Sequence, residues 1–132
     1  AAGAPAPARA GAAAGAGGEP AYNPTGAYVS LGALTTERVD AAAVKAKMGE
    51  LAPRLSECYR AALRMNGAPE GGSVAIHMSI DEGGRVQSSV VDAPKLPAFA
   101  RCAQQALAGQ SVPAGALEGA GATASQWLVL HP

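Results

Sequence analysis

The stretch Ser73-Val74-Ala75-Ile76-His77-Met78-Ser79-Ile80 alternates apolar and polar side chains without a break. A strand sends successive side chains to opposite faces, so Val74, Ile76, Met78 and Ile80 share an inner face and His77 looks outward. Asp81-Glu82-Gly83-Gly84 follows, with residues that tolerate positive φ, and then Arg85-Val86-Gln87-Ser88-Ser89-Val90-Val91-Asp92. Two extended runs joined this closely make a β-hairpin. The second run changes phase between Val86 and Val91, which a bulge near Ser88 or Ser89 would explain.

Upstream of the hairpin, Val44, Met48, Leu51, Leu55, Cys58/Tyr59 and Ala62/Leu63 recur at steps of three and four. That is the apolar stripe of a helix from about Asp40 to Met65. Pro53 lies inside it and predicts a kink, or two helices meeting between Glu50 and Pro53. Asn66-Gly67 supplies the stop. Ahead of the helix, Tyr28 to Leu34 alternates enough for a first strand. Downstream, Pro97 opens a second helix whose Phe99, Cys102/Ala103 and Ala106/Leu107 share one side, with Gly109 ending it. Ser111 to Ala124 is a Gly-rich loop that holds Val112 and Leu117 against the core, and Ser125 to His131 is a last strand. The order β-α-β-β-α-β predicts a small α+β domain with both helices on one face of a mixed or antiparallel sheet.

The 132 residues suffice for one modest domain. Apolar residues make up 48%, but many are alanine, and the aromatics are only Tyr22, Tyr28, Tyr59, Phe99 and Trp127, so the core is thin and aliphatic. Residues 1–27 are nearly pure Ala, Gly and Pro and cannot bury enough to offset their ordering entropy, which reads as an extended linker or arm before a domain over 28–132. The arm has no basic start with a continuous apolar run, so it predicts neither a signal peptide nor a membrane span within this chain. The absent initiator Met fits a processed or excised chain. Ten basic and ten acidic side chains cancel, leaving no long-range field toward nucleic acid or an anionic bilayer.

Cys58 and Cys102 are the only cysteines. An even, minimal count at long spacing, without a C-x-x-C step, reads as one structural disulfide between the two helices and points to an oxidising compartment. The alternative is two buried free thiols. Other chemistry finds few candidates. His77 and His131 have no third ligand at metal spacing. Cys58 lies on an apolar stripe that stabilises a thiolate poorly, which argues against a Cys58–His77 nucleophile and base. Asp81 and Glu82 are explained by turn chemistry, and neither Gly71-Gly72 nor Gly83-Gly84 precedes the Lys-Ser/Thr and helix of a phosphate loop. Lys45, Lys47, Arg54, Arg60 and Arg64, interleaved with Glu50 and Glu57, form a solvated helix face. The expectation is a non-enzyme with no catalytic residue, metal, cofactor or small-molecule substrate. RNA-recognition modules share the element order and stack bases on aromatics of their middle strands. The two strands in the middle of this chain carry none.

Three segments together resemble one family. They are Leu51-Ala-Pro-Arg-Leu-Ser-Glu-Cys58-Tyr59-Arg60-Ala-Ala-Leu63, then Gly72-Ser-Val-Ala-Ile-His-Met-Ser-Ile80-Asp81-Glu-Gly-Gly84-Arg85-Val86, then Arg101-Cys102. A helix with Pro-x-x-x-x-Cys-Tyr-x-x-x-Leu, a hairpin with Ile-x-x-x-Gly-x-Val and a later helix with a central Cys are similar to the AgmX/PglI C-terminal domain family. That is a TonB-like group of myxobacterial envelope proteins, and the resemblance spans about residues 28 to 132. Where such domains carry an aromatic-Pro pair after the second helix, this chain has Val112-Pro113. The resemblance implies a periplasmic or cell-envelope protein of a Gram-negative bacterium that works through contacts with other envelope proteins.

The sheet expected here leaves a free strand edge, to which a partner strand can add through main-chain hydrogen bonds. The candidates for that edge are Arg85 to Asp92 and Gln126 to His131. The second is favoured, which makes Trp127, Leu128, Val129 and Leu130 the expected partner-binding residues; the competing view is that Trp127 and its neighbours complete the core. A different function would be a structural subunit of an outer-membrane or extracellular assembly, held by its extended N-terminal arm.

Overall fold

The computed structural model describes residues 22–132. The arm read over 1–27 lies outside the described residues up to residue 21. The elements are β1 (Tyr28–Glu37), α1 (Ala41–Asn66), β2 (Gly72–Ile80), β3 (Val86–Asp92), α2 (Pro97–Leu107), a short 3-10 turn over Ala114–Ala116, and β4 (Ala122–His131). The four strands form one sheet in the order β1-β4-β2-β3, antiparallel throughout. This is the expected α+β class. Each helical connection steps over one strand: β4 fills the place between β1 and β2, and β2 the place between β4 and β3. The last strand in sequence is therefore an inner strand in space.

Helix α1 starts at Asp40, whose carboxylate accepts from the Ala42 N–H at 3.3 Å. It ends at Gly67, which takes a left-handed φ of 73° and donates its N–H to the Leu63 carbonyl. The helix runs unbroken through Pro53, so the alternative of two helices does not hold. Pro53 and Gly49, the residue whose carbonyl a proline at this position leaves unpaired, are both exposed. Water can take the missing hydrogen bond there.

Val44, Met48, Leu51, Leu55, Cys58, Tyr59, Ala62 and Leu63 are all buried, the stripe read from the sequence. α1 packs on β1 and on α2, and α2 packs on β3. Tyr59 and Phe99 join the two helices edge to face, with centroids 6.2 Å apart. Cys58 and Cys102 are bonded as a disulfide with Cα atoms 5.6 Å apart, which removes the free-thiol alternative. On the chain-entropy account such a link stabilises a small domain by about 3 to 4 kcal/mol.

The folded part begins earlier than Tyr28. Pro24 and Ala27 are buried, Tyr22 packs against the core, and Arg60 Nη1 donates to the Ala27 carbonyl at 2.8 Å. Arg60 is thus a tie between α1 and the chain before β1, where the sequence suggested a solvated face.

Candidate functional site

The hairpin turn is built by Asp81. Its Oδ1 accepts from the N–H groups of Gly83 at 3.0 Å and Arg85 at 2.9 Å, while its carbonyl accepts from Gly84. Gly84 sits at φ 89°, and a Cβ there would lie 2.2 Å from the Val112 carbonyl oxygen. No other residue fits both demands. The close approach lets the segment after α2 lie along the start of β3: Val112 N–H donates to the Gly84 carbonyl and Val86 N–H to the Gln110 carbonyl, each at 2.8 Å. Val112 is buried and Leu117 packs on the core, as expected of that loop. The β3 ladder slips one residue between Ser79–Ser88 and Ile80–Val86, placing the extra residue at Gln87, next to the expected position.

At the other edge, β1 carries its own bulge. Pairing jumps from Leu31–Leu128 to Leu34–Gln126, so one residue of Gly32-Ala33 is extra. Gln126, 1% exposed, donates from Nε2 to the carbonyls of Gly32 at 3.0 Å, Ala33 at 3.3 Å and Trp127 at 2.7 Å. A polar group this deep needs such partners. Nearer the start of β1, the buried Ser56 Oγ of α1 accepts the Val29 N–H at 2.9 Å. With Arg60 on Ala27, just before the strand, α1 engages the backbone at the start of β1.

The partner-binding stretch read from the sequence needs correction. Trp127, Leu128, Val129 and Leu130 lie inside the sheet, where Leu128, Val129 and Leu130 pair with β1 on one side and all four with β2 on the other. The backbone groups that would accept an added strand are already used. Leu128 and Leu130 are buried in the core, whereas Trp127 and Val129 belong to the opposite face of the sheet. The sheet edges are β1 and β3, so only Arg85 to Asp92, the other candidate, stands at an edge.

Along β3 the segment at residues 110–112 covers the start, and no β-partner follows on the outer side among the described residues. Past the last pair, Ala75–Asp92, β2 continues through Val74, Ser73 and Gly72 without a partner on the β3 side. A cleft of about 270 Å³ opens there, between Gly72, Val74 and Leu130 on one wall and Ala93, Pro94 and Leu96 on the other. Lys95 and Glu70 meet across its rim at 3.7 Å. Next to the cleft, Tyr59 donates its hydroxyl to the Glu70 carbonyl at 2.7 Å. Its pKa is pushed up from 10.0 to about 12, chiefly by burial and then by Tyr22 and Glu70. The Tyr22 hydroxyl is buried without a hydrogen-bond partner among the described residues.

His77 lies exposed on the helix-free face of the sheet with Nδ1 2.9 Å from Ser125 Oγ, and His131 stacks on Tyr28 at 4.5 Å with Nε2 2.8 Å from Ser30 Oγ. Cys58 is spent in the disulfide and has no thiolate to offer His77. Among the described residues no group of three or more His, Cys, Asp and Glu could hold a metal, and no helix is long and apolar enough to cross a membrane. The middle strands in space are β4 and β2, and β4 carries Trp127, unlike the middle strands of the sequence. The four strands contain no Lys or Arg.

Compared with protein-family models, with curated proteins and with solved structures, the chain matches none.

Proposed function

We propose that this chain is a non-enzymatic interaction domain of the bacterial cell envelope, TonB-like in character, whose partner adds an extended segment along β3. The observation that carries it is the outer edge of β3 beyond Val86, which has no β-partner among the described residues and runs on into the cleft at Gly72–Val74. Main-chain hydrogen bonds give such an added strand its affinity, and alternate side chains reaching the cleft give it a preference for apolar residues. The disulfide supports the envelope assignment, because thiols stay reduced in the cytosol.

Two measurements test the two halves. For the edge, hydrogen exchange of the chain alone and bound to an envelope protein captured on it should show new protection over Gln87–Asp92 and Gly72–Val74. Protection confined to the helices or to β1 would overturn strand addition. For the compartment, mass spectrometry of natively purified, alkylated protein should find no free thiol. Both cysteines alkylated would remove the envelope assignment.

A further inference from the structure

The face of the sheet turned away from the helices has no cover among the described residues. Among the described residues four large apolar side chains are exposed, and three of them belong to this face: Tyr28 at 50%, Val90 at 58% and Trp127 at 48%. They are spread from β1 at one edge to β3 at the other, about 14 Å at the usual strand spacing. Apolar contacts distributed over that width suit a flat, extended partner rather than a compact ligand. Ala75 stands on the same face, yet it is only 4% exposed. Its paired neighbours are Trp127 on β4 and Asp92 on β3.

The chemistry of the face favours its own copy. It carries no Lys or Arg, and its carboxylates, Glu37 and Asp92, lie on the two edge strands. A second copy therefore meets no block of like charge. Edge-to-edge pairing at the very start of β1 is hindered, because Ser56 holds the Val29 N–H and Arg60 the Ala27 carbonyl just before the strand. We propose that the chain forms a homodimer in which the helix-free sheet faces of two copies pack together, with the two-fold axis along the strands. In that arrangement β4 of one copy lies over β2 of the other, and the two indoles meet at the axis as an aromatic pair. Four strands of about nine residues offer roughly 570 Å² per copy. The total of about 1,100 Å² stands at the low end for a specific interface, so the dimer is a weak one. It leaves the β3 edge free and does not depend on strand addition there.

Trp127 is the only tryptophan, so its emission reports on this face alone. The test is sedimentation velocity of the full chain from about 1 μM to about 1 mM, the span over which an interface of this size associates, with fluorescence followed in parallel. The expected result is a rise from 12.9 kDa toward twice that mass, with a blue shift of emission over the same concentrations. Val90→Lys, at a position exposed enough to leave the thermal melt unchanged, should move both midpoints upward by about tenfold or more. A monomer at every concentration overturns the proposal. So does a dimer with unmoved emission, or one indifferent to Val90→Lys, since either would place the contact elsewhere.

Discussion

At one edge of the sheet the backbone of β1 is met by α1: Ser56 takes the Val29 N–H, Arg60 takes the Ala27 carbonyl, and from within, Gln126 fills the bulge at Gly32-Ala33. At the other edge a loop covers β3 only at its start, through Gly84, Gln110 and Val112. Beyond it the strand carries Ser88, Val90 and Asp92 to solvent. An unpaired edge invites association, and proteins usually block it. Here side chains of α1 engage the chain at the start of the β1 edge and a loop covers the start of the β3 edge, while farther along neither has a β-partner on its outer side among the described residues. What distinguishes the β3 side is the cleft that continues its edge at Gly72–Val74, and the proposed strand addition rests on it.

The comparison can be broken at several points. The largest effect is expected from removing the link both edges share. Cys58→Ser with Cys102→Ser should cost about 3 to 4 kcal/mol, read as a lowered midpoint in urea unfolding against the parent protein under non-reducing conditions. An unchanged midpoint would mean that helix packing alone fixes α2 against α1. Gly84→Ala comes next at about 2 to 3 kcal/mol, since the new methyl meets the Val112 carbonyl at a positive φ. Hydrogen exchange should then show the Val86 and Val112 amides opening while β1 stays protected. Ser56→Ala is the mirror experiment at the β1 edge. It leaves the Val29 N–H without its acceptor and should cost about 1 to 2 kcal/mol, with the fast exchange now at β1.

The smallest effect is a pH dependence beside the cleft. Tyr59 holds its proton to about 12 in the folded chain, against an ordinary value of 10.0. Between those values the unfolded chain binds fewer protons than the folded one, so its contribution to stability is constant below pH 10 and falls as pH rises toward 12. Thermal melts across that range should show the decline, and Tyr59→Phe should reduce it at the cost of the hydrogen bond to Glu70. A flat profile in the parent protein would mean that the hydroxyl is less enclosed than the structure has it.

The hairpin, the long helix and the Cys58–Cys102 link were legible because each rests on a period or a count that the chain displays openly. Strand neighbours were not. Alternation in Ser73–Ile80 says which side chains face the core but nothing about which strand lies alongside, and the two interleaved crossovers put β4 inside. A signal was present in Gln126, a polar residue in phase with the core positions Leu128 and Leu130, since such a residue needs backbone partners nearby. Ser56, beside Leu55 and one turn before Tyr59 and Arg60, carried a similar hint. The boundary at Tyr28 was placed late because Pro24 and Ala27 belong to a composition that looks unstructured, and only the contacts with α1 show them packed. The extra residues of β1, out to Glu37, and of β4, back to Ala122, are small or polar and show no strong alternation in the sequence, although Ala122 and Ala124 are buried in the core.

Tyr28, near the start of the described chain, is paired directly with His131, next to its end. A pull applied through the two ends would thus act at one corner of the sheet and part β1 from β4 like a zipper, breaking hydrogen bonds pair by pair instead of in shear. The covalent ring closed by Cys58 and Cys102 encloses β2 and β3, so none of that stretch could lengthen under load. Tension would pay out the first and last strands while the hairpin, and with it the β3 edge, kept its shape.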